Sequence, residues 1–133
     1  MTRDPLDVVR TCDEAFDAGD VGTALALFAE DLEWDNRGAD APGLDQVFHG
    51  HDGLMSLMTQ LAEVFEEYAI RDREYQAAGD RVLTVAREFG RGGTSGLAQD
   101  RPLAILYTVR DGLIVRVSTH ADIEEGRRRL ASG

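Results

Sequence analysis

The hydrophobic positions in the first half of the chain recur every three or four residues, as one face of a helix requires. A first helix is predicted after the cap and proline signals of Asp4 and Pro5, and its apolar stripe is Leu6, Val9, Cys12 and Phe16. A second, shorter helix follows Gly19 and carries Leu25, Leu27 and Phe28 towards the core. A third has the clearest stripe, formed by Leu54, Leu57, Met58, Leu61, Val64, Phe65 and Tyr68.

Between the second and third helices, Leu32 and Trp34 indicate a brief extended stretch. The following segment, residues 38–50, is polar and contains proline and glycine. Loops of this length within a compact domain often cover a binding pocket. The segment is therefore expected to lie over a cavity.

After the third helix the apolar period changes to two, which is typical of strands. Strands are predicted over residues 70–76, 81–89, about 102–110 and 113 to about 119, and a charged helix closes the chain. Asp111-Gly112 predicts a two-residue hairpin. Helices followed by antiparallel strands indicate an α+β fold, here a single domain over residues 1–133. A curved sheet of this kind leaves an apolar cavity against its helices.

Composition narrows the function classes. The net charge of −11 argues against binding nucleic acid, because backbone phosphates are neutralised by basic side chains. No apolar run approaches the roughly 18 residues of a membrane span. The single Cys12 cannot form an intramolecular disulfide, and the first residues lack the regions of a signal peptide. A cytoplasmic location is expected, and the use of arginine without lysine suggests a GC-rich bacterial source.

Several short signals follow one another in a characteristic order. They are Ala15-Phe16 with Gly19-Asp20, Glu30-Asp31 with Glu33-Trp34, the turn from Gly50 to Gly53, Gly79-Asp80-Arg81-Val82, Asp111-Gly112-Leu113-Ile114-Val115-Arg116, and Asp122-Ile123-Glu124-Glu125. In this order the chain resembles the SnoaL-like branch of the nuclear-transport-factor-2-like superfamily, over nearly its whole length. The resemblance implies a cone in which a curved antiparallel sheet packs against three N-terminal helices. It also implies a homodimer.

The superfamily includes isomerases, epoxide hydrolases, dehydratases, polyketide cyclases and binding modules, so the fold alone does not decide the function. Ketosteroid isomerases use a Tyr, an Asp base and a second Asp. The corresponding positions here are Cys12, Asn36 and one near Ile105. An amide cannot accept a proton as a carboxylate does. The isomerase interpretation is therefore rejected.

Limonene-type epoxide hydrolases are similar at one point, since their water-holding aromatic residue and Asn match Trp34 and Asn36. Their strand Arg would be Arg87. Phe89 and Thr119 stand where their catalytic Asp residues would be. Only part of that site is present.

The resemblance and the strand alternation together give a set of candidate ligand-binding residues: Trp34, Asn36, Arg87, Phe89, Tyr107 and Thr119. Arg87 is expected to share an inward face with Leu83, Val85 and Phe89. A buried guanidinium needs an acidic partner or an anionic ligand, so an ion pair within the protein is the alternative. Tyr107 is a candidate hydrogen-bond donor, with plain packing as the alternative.

Two residues are candidate proton carriers, His49 and Asp35. Alternation sends Asp35 away from the pocket unless the loop reorients it, and His49 would act at the pocket mouth. His49, His51 and Asp52 also have a metal-like spacing. A helix cap explains that segment more simply, so neither a metal nor a cofactor is expected.

The leading hypothesis is a protein that binds a small, largely apolar organic molecule in the cone cavity. If the protein is an enzyme, the expected class is acid–base chemistry without a cofactor, as in cyclases, dehydratases, isomerases or hydrolases. The alternative is a non-catalytic ligand-binding or dimerisation module, which the missing carboxylates favour.

Overall fold

The computed structural model describes residues 4–92 and 98–132, so the glycine-rich connection over residues 90–96 lies partly outside the described residues. Four α-helices and six strands occur in the order α1 (Pro5–Asp17), α2 (Val21–Ala26), β1 (Phe28–Asp35), β2 (Val47–His49), α3 (Gly50–Val64), β3 (Glu67–Ala78), β4 (Arg81–Arg91), β5 (Ala98–Arg110), β6 (Leu113–His120) and α4 (Ile123–Ala131). Within these residues no helix has the length and apolarity that a membrane crossing needs.

The six strands form one curved, open sheet in the order β2-β1-β6-β5-β4-β3. All neighbours are antiparallel except β1 and β6, which run parallel. Asp111 and Gly112 make the β5–β6 hairpin with φ of 53° and 77°, the positive values that the tight mirror-image turn requires. The predicted α+β fold is confirmed, with the closing helix α4 in addition to the three helices of the first half of the chain.

The two faces of the sheet are covered by different helices. α1 packs on β3 to β6, and α3 packs on β1 to β3. Their apolar stripes and the inward residues of β5 and β6, such as Ile105 and Val117, form the main core. α4 lies on the opposite face, where Leu130 packs on Leu83, Ala104 and Leu106.

This second apolar layer explains the main error of the strand prediction. Leu83 is fully buried, but it is buried beneath α4 rather than towards α1. The face of β4 that looks towards the main helices carries Val82, Thr84 and Glu88 instead. Because β4 is apolar on both faces, alternation alone could not say which face turns inward.

Two helix boundaries also differ from the prediction. α2 ends at Ala26, and Phe28 is the first residue of β1. α3 ends at Val64, so Tyr68 lies in β3. In both cases the apolar stripe runs on into the next strand, because helix and strand bury their side chains in the same core.

Candidate functional site

The concave face of the sheet, α1 and α3 enclose a cavity of about 440 Å³. This volume lies within the range of small-molecule sites. Most of its wall is apolar, and the loop that follows β1 closes one side through Ala39, Ala41 and Leu44. Residues 39–44 thus line the cavity as expected, whereas Val47–His49, at the end of the predicted loop, form strand β2.

A β-bulge in β3 sets which of its side chains enter the cavity. The pairing of β3 with β4 shifts register between Arg71 and Glu74, and Asp72 there has φ of 55°. One extra residue reverses the alternation. Tyr68 and Ile70 face the cavity before the bulge, and Arg73 faces it after the bulge.

Beyond the bulge, β3 reaches a carboxylate of α1. The Tyr75 hydroxyl donates to Asp13 Oδ2 at 2.7 Å, and Arg73 Nε lies 3.5 Å from the same oxygen. The two terminal nitrogens of Arg73 donate hydrogen bonds to the Asp17 carboxylate, at 2.7 and 3.0 Å. Asp13 itself is 8% exposed and lines the cavity. No hydrogen bond to its Oδ1 occurs within the part of the chain that the structure describes.

Burial raises the pKa of Asp13 above its ordinary value, while the Tyr75 hydrogen bond and the Arg73 charge act in the opposite direction. Burial also raises the pKa of Tyr107 well above its usual range, and the neighbouring Asp13 carboxylate adds to that shift. Tyr107 lines the cavity and therefore presents a protonated hydroxyl. A carboxylate with a raised pKa and a protonated phenol thus line the same cavity.

A second buried carboxylate lines the cavity on β4. Glu88 Oε2 accepts from the Tyr68 hydroxyl at 2.6 Å. Its Oε1 accepts from Arg101 Nε at 2.8 Å and from the Gln99 amide. Arg101 also donates to the backbone oxygen of Asp40 in the covering loop, at 3.2 Å. Both oxygens of Glu88 are therefore occupied, and its network ties that loop to the sheet.

An amide and a hydroxyl connect the other end of the covering loop to β6. Thr119 Oγ1 donates to Asn36 Oδ1 at 2.5 Å, and Asn36 Nδ2 donates to the backbone oxygen of Leu44 at 2.8 Å. Both side chains are buried and line the cavity. The Asn36 amide thus uses one donor and one acceptor to hold the loop.

Of the six candidate ligand-binding residues, the structure brings four to the cavity wall. These are Trp34, Asn36, Tyr107 and Thr119. The inward orientation predicted for Arg87 and Phe89 is wrong, since both lie on the outer face of β4. Arg87 is paired with Asp100 at 2.7 Å and its side chain is 45% exposed, and Phe89 packs beneath the guanidinium of Arg71.

The two candidate proton carriers lie away from the cavity lining. Asp35 points to the outer face, as alternation predicts, and accepts two side-chain hydrogen bonds from Arg37 at 2.9 Å. These bonds lower the pKa of Asp35. His49 is exposed at the end of β2. His51 Nε2 lies 2.9 Å from the backbone oxygen of Phe28, and in the described ranges no three metal-ligating side chains cluster.

The sequence prediction does not include the charged side chains that line the cavity, such as Asp13 and Arg73. Asp13 gives a signal, because it lies four residues after Val9 and three before Phe16 on the apolar stripe of α1. A carboxylate in such a position must be paired or functional. Arg73 and Tyr75 give no comparable signal, since the bulge that turns them inward follows no local sequence rule.

The profile of the family described as the SnoaL-like domain matches residues 8–117, which is more than half of the 133 residues. The chain therefore belongs to the SnoaL-like domain family. A comparison with curated proteins found no match.

Solved structures agree with this fold. An NTF2-like protein from Burkholderia xenovorans LB400 is 26% identical, with 98% of each chain covered and a TM-score of 0.78. A protein from Xanthomonas campestris pv. campestris, provisionally named a polyketide cyclase, is 25% identical over 96% of this chain and 94% of its own, with a TM-score of 0.70. An NTF2-like protein of unknown function from Burkholderia pseudomallei K96243 has 23% identity, coverage of 97% and 98%, and a TM-score of 0.78.

Proposed function

We propose that this chain binds a small, largely apolar organic molecule in its cavity and catalyses a cofactor-independent proton transfer on it, with Asp13 as the base. The observation that carries the proposal is the asymmetry of the Asp13 carboxylate. Tyr75 and Arg73 both contact Oδ2, and Oδ1 of this cavity-lining residue accepts no hydrogen bond within the described residues. The neighbour provisionally named a polyketide cyclase supports the same class of chemistry.

The surroundings of Asp13 suit a general base. A carboxylate with a raised pKa is a stronger base than an ordinary one, and general bases of this kind contribute about 10²–10⁴-fold to a rate. The contacts on Oδ2 fix the carboxylate in one orientation, because its donors lie on a strand and not on a loop.

Tyr107 completes the arrangement as a donor. Removal of a proton from a carbon beside a carbonyl places negative charge on the carbonyl oxygen, and a fixed donor at that oxygen lowers the barrier. The Tyr107 hydroxyl remains protonated and lines the same cavity as Asp13. This one step is shared by cyclisation, dehydration and isomerisation, so the proposal does not depend on which of them follows.

Hydrogen–deuterium exchange of a simple ketone tests the step directly. 2-Tetralone in D₂O exchanges the protons beside its carbonyl, and the protein is expected to accelerate this exchange above the buffer rate. Asp13→Asn should remove at least about a hundredfold of that acceleration, because the amide cannot accept the proton. Mass spectrometry or proton NMR follows the incorporated deuterium.

Asp17→Asn is the matched control. Asp17 binds the same guanidinium as Asp13, but its side chain is 57% exposed. We expect Asp17→Asn to change the acceleration by no more than a few-fold. An equal loss in both variants would show that the Arg73 network matters only for the fold.

The second candidate function is ligand binding without catalysis. It is favoured by the involvement of Asp13 in an ion-pair network with Arg73, which could be purely structural. Under this alternative 2-tetralone binds, as measured by calorimetry, while its exchange rate stays at the buffer value. Binding with accelerated exchange excludes it.

The homodimer, the cytoplasmic location and the bacterial source stay predictions. The outer face of the sheet offers a polar groove of about 650 Å³ between charged side chains such as Glu33, Asp80, Arg81 and Arg116. Light scattering coupled to size-exclusion chromatography measures the mass in solution. A mass of 14.6 kDa would contradict the dimer.

A further inference from the structure

One histidine is buried in the part of the chain that the structure describes, and it lies on the face of the sheet opposite the cavity. His120 is the last residue of β6 and is 6% exposed. Its neighbour Thr119 lines the cavity, so strand alternation turns His120 to the outer face, under α4. The chemistry proposed for Asp13 does not use this imidazole. A buried group that titrates near neutral pH is a candidate pH sensor.

Three structural elements meet at the edges of the His120 ring. On β6 itself, Ser118 Oγ lies 2.8 Å from Nε2. In the covering loop, the backbone of Gly38 comes so close that a methyl group on its Cα would lie 3.2 Å from Nδ1. In α4, a methyl group on Gly126 would lie 4.0 Å from Cδ2 and 2.8 Å from the side chain of Ala104. The imidazole therefore fills the junction of β6, the covering loop and α4.

This junction anchors both the loop and the helix. The backbone N–H of Ala121, the residue after His120, donates to the Gly38 oxygen at 2.8 Å. The next residue, Asp122, caps the first turn of α4. Gly38 is followed directly by Ala39, which lines the cavity. A disturbance at His120 therefore reaches α4 on one face of the sheet and the cavity wall on the other.

Charged groups face His120 from α4 and from β1. They are Arg129 and Glu125 of α4, its cap Asp122, and Asp35 of β1. The covering loop and β5 meet the ring through uncharged residues, Gly38 and Ala104. Burial and then the Arg129 charge lower the pKa of His120, while the three carboxylates act in the opposite direction.

Two of these carboxylates keep their charge where histidine titrates. Hydrogen bonds from Arg37 lower the pKa of Asp35, and hydrogen bonds from Arg128 and Arg129 lower the pKa of Glu125. Both acids are therefore ionised throughout the interval from pH 7 to pH 5. A change at the junction within this interval reports the imidazole.

We propose that His120 is a pH-sensitive contact that holds α4 and the covering loop on the sheet, and that its protonation releases the two together. An imidazolium carries a full charge and a donor on both nitrogens, and burying such a charge is costly. Release of α4 and the loop brings the ring into water and removes that cost. The open state therefore takes up the proton more readily. The junction is closed at neutral pH and opens more often as the pH falls below about 6.5.

Hydrogen exchange of backbone amides, followed by NMR at pH 7 and pH 5, tests the release. Protection factors are compared, because they correct for the pH dependence of exchange in an unfolded chain. We expect protection to fall at least about threefold at Leu130 of α4, at Ala121 of the junction and at Leu44 of the loop. The amides of the central strands β4 and β5 should keep their protection.

His120→Gln removes the titration and leaves an uncharged polar group beside Ser118. The fall in protection between pH 7 and pH 5 should disappear in this variant. His49→Gln is the matched control, since His49 is exposed at the end of β2, and it should keep the fall. The decisive quantity is the dependence on pH, because a purely structural loss would lower protection equally at both values.

The wild-type protein alone also gives a decisive result. Titration of the ring protons should place the pKa of His120 below about 6.5, and this measurement stands even where His120→Gln does not fold. Equal protection at pH 7 and pH 5 would overturn the proposal, as would an unchanged fall in His120→Gln. Loss of protection in α4 without loss in the loop would show that the two are not released together. None of these readouts uses a ligand, so they are independent of the proposed function.

Discussion

The cavity wall contains two buried carboxylates with the same kinds of partner, and they differ in how completely they are satisfied. Asp13 on α1 has a tyrosine and an arginine from β3, and Glu88 on β4 has a tyrosine from β3 and an arginine from β5. Around Glu88 the donors reach both oxygens, with Arg101 at 2.8 Å. Around Asp13 they reach one oxygen, and Arg73 stays at 3.5 Å.

The difference follows from what each arginine does elsewhere. Arg73 makes its short contacts with Asp17, so it screens Asp13 without holding it tightly. Arg101 uses its Nε on Glu88 and a terminal nitrogen on the covering loop. A fully bonded carboxylate fixes structure, whereas a partly bonded one keeps a lone pair for chemistry. The comparison therefore favours a structural role for Glu88 and agrees with the role proposed for Asp13.

Replacing each carboxylate by the amide of the same shape should give the largest difference between the two residues, measured as the loss in free energy of unfolding. Glu88→Gln should lower the free energy of unfolding by about 3 kcal/mol, because it removes one partner of a buried ion pair. Asp13→Asn should cost less than about 1 kcal/mol, since it also removes a desolvated charge. Urea unfolding at pH 7, with unchanged slopes, measures both values. Equal losses would mean that the two carboxylates have the same structural role.

The same comparison shows what the sequence could and could not predict. The helices, the hairpin at Asp111-Gly112 and the inward side of β5 with Tyr107 follow from local periodicity and turn chemistry. The site depends on two long-range facts. α4 buries the face of β4 that includes Leu83 and leaves Arg87 exposed at its edge, and the bulge at Asp72 reverses the alternation of β3. Neither the packing of α4 nor the bulge can be inferred from the residues next to the side chains whose orientation it changes.

The pH dependence of stability should have opposite signs for the two acids around Arg73. Burial raises the pKa of Asp13 in the folded state, so its contribution to stability declines as the pH rises from about 3.9 through that raised pKa. The Arg73 hydrogen bond lowers the pKa of Asp17, so its contribution is present above about 3.9 and is lost as the pH falls.

Relative to the wild type, Asp13→Asn should therefore gain stability with rising pH. Asp17→Asn should lose stability over the same interval, by less than about 1 kcal/mol because the Asp17 side chain is 57% exposed. Thermal or urea unfolding between pH 3 and 7 gives both curves. Parallel curves for the two variants would contradict the asymmetry on which the comparison rests.

The last expected effect distinguishes the two tyrosines. The Tyr75 hydroxyl lowers the pKa of Asp13, so Tyr75→Phe should raise that pKa and move the acid limb of 2-tetralone exchange to higher pH. On that limb the rate at a fixed pH should fall about fivefold, the effect of one hydrogen bond of about 1 kcal/mol.

Tyr68→Phe removes an equivalent hydroxyl, which donates to Glu88 at 2.6 Å, and should leave the limb where it is. The position of the limb, rather than the maximal rate, is the decisive quantity, because general damage to the cavity would lower the rate at every pH without moving it. A displaced limb in Tyr68→Phe would mean that Glu88, and not Asp13, is the group whose ionisation the exchange reaction reports.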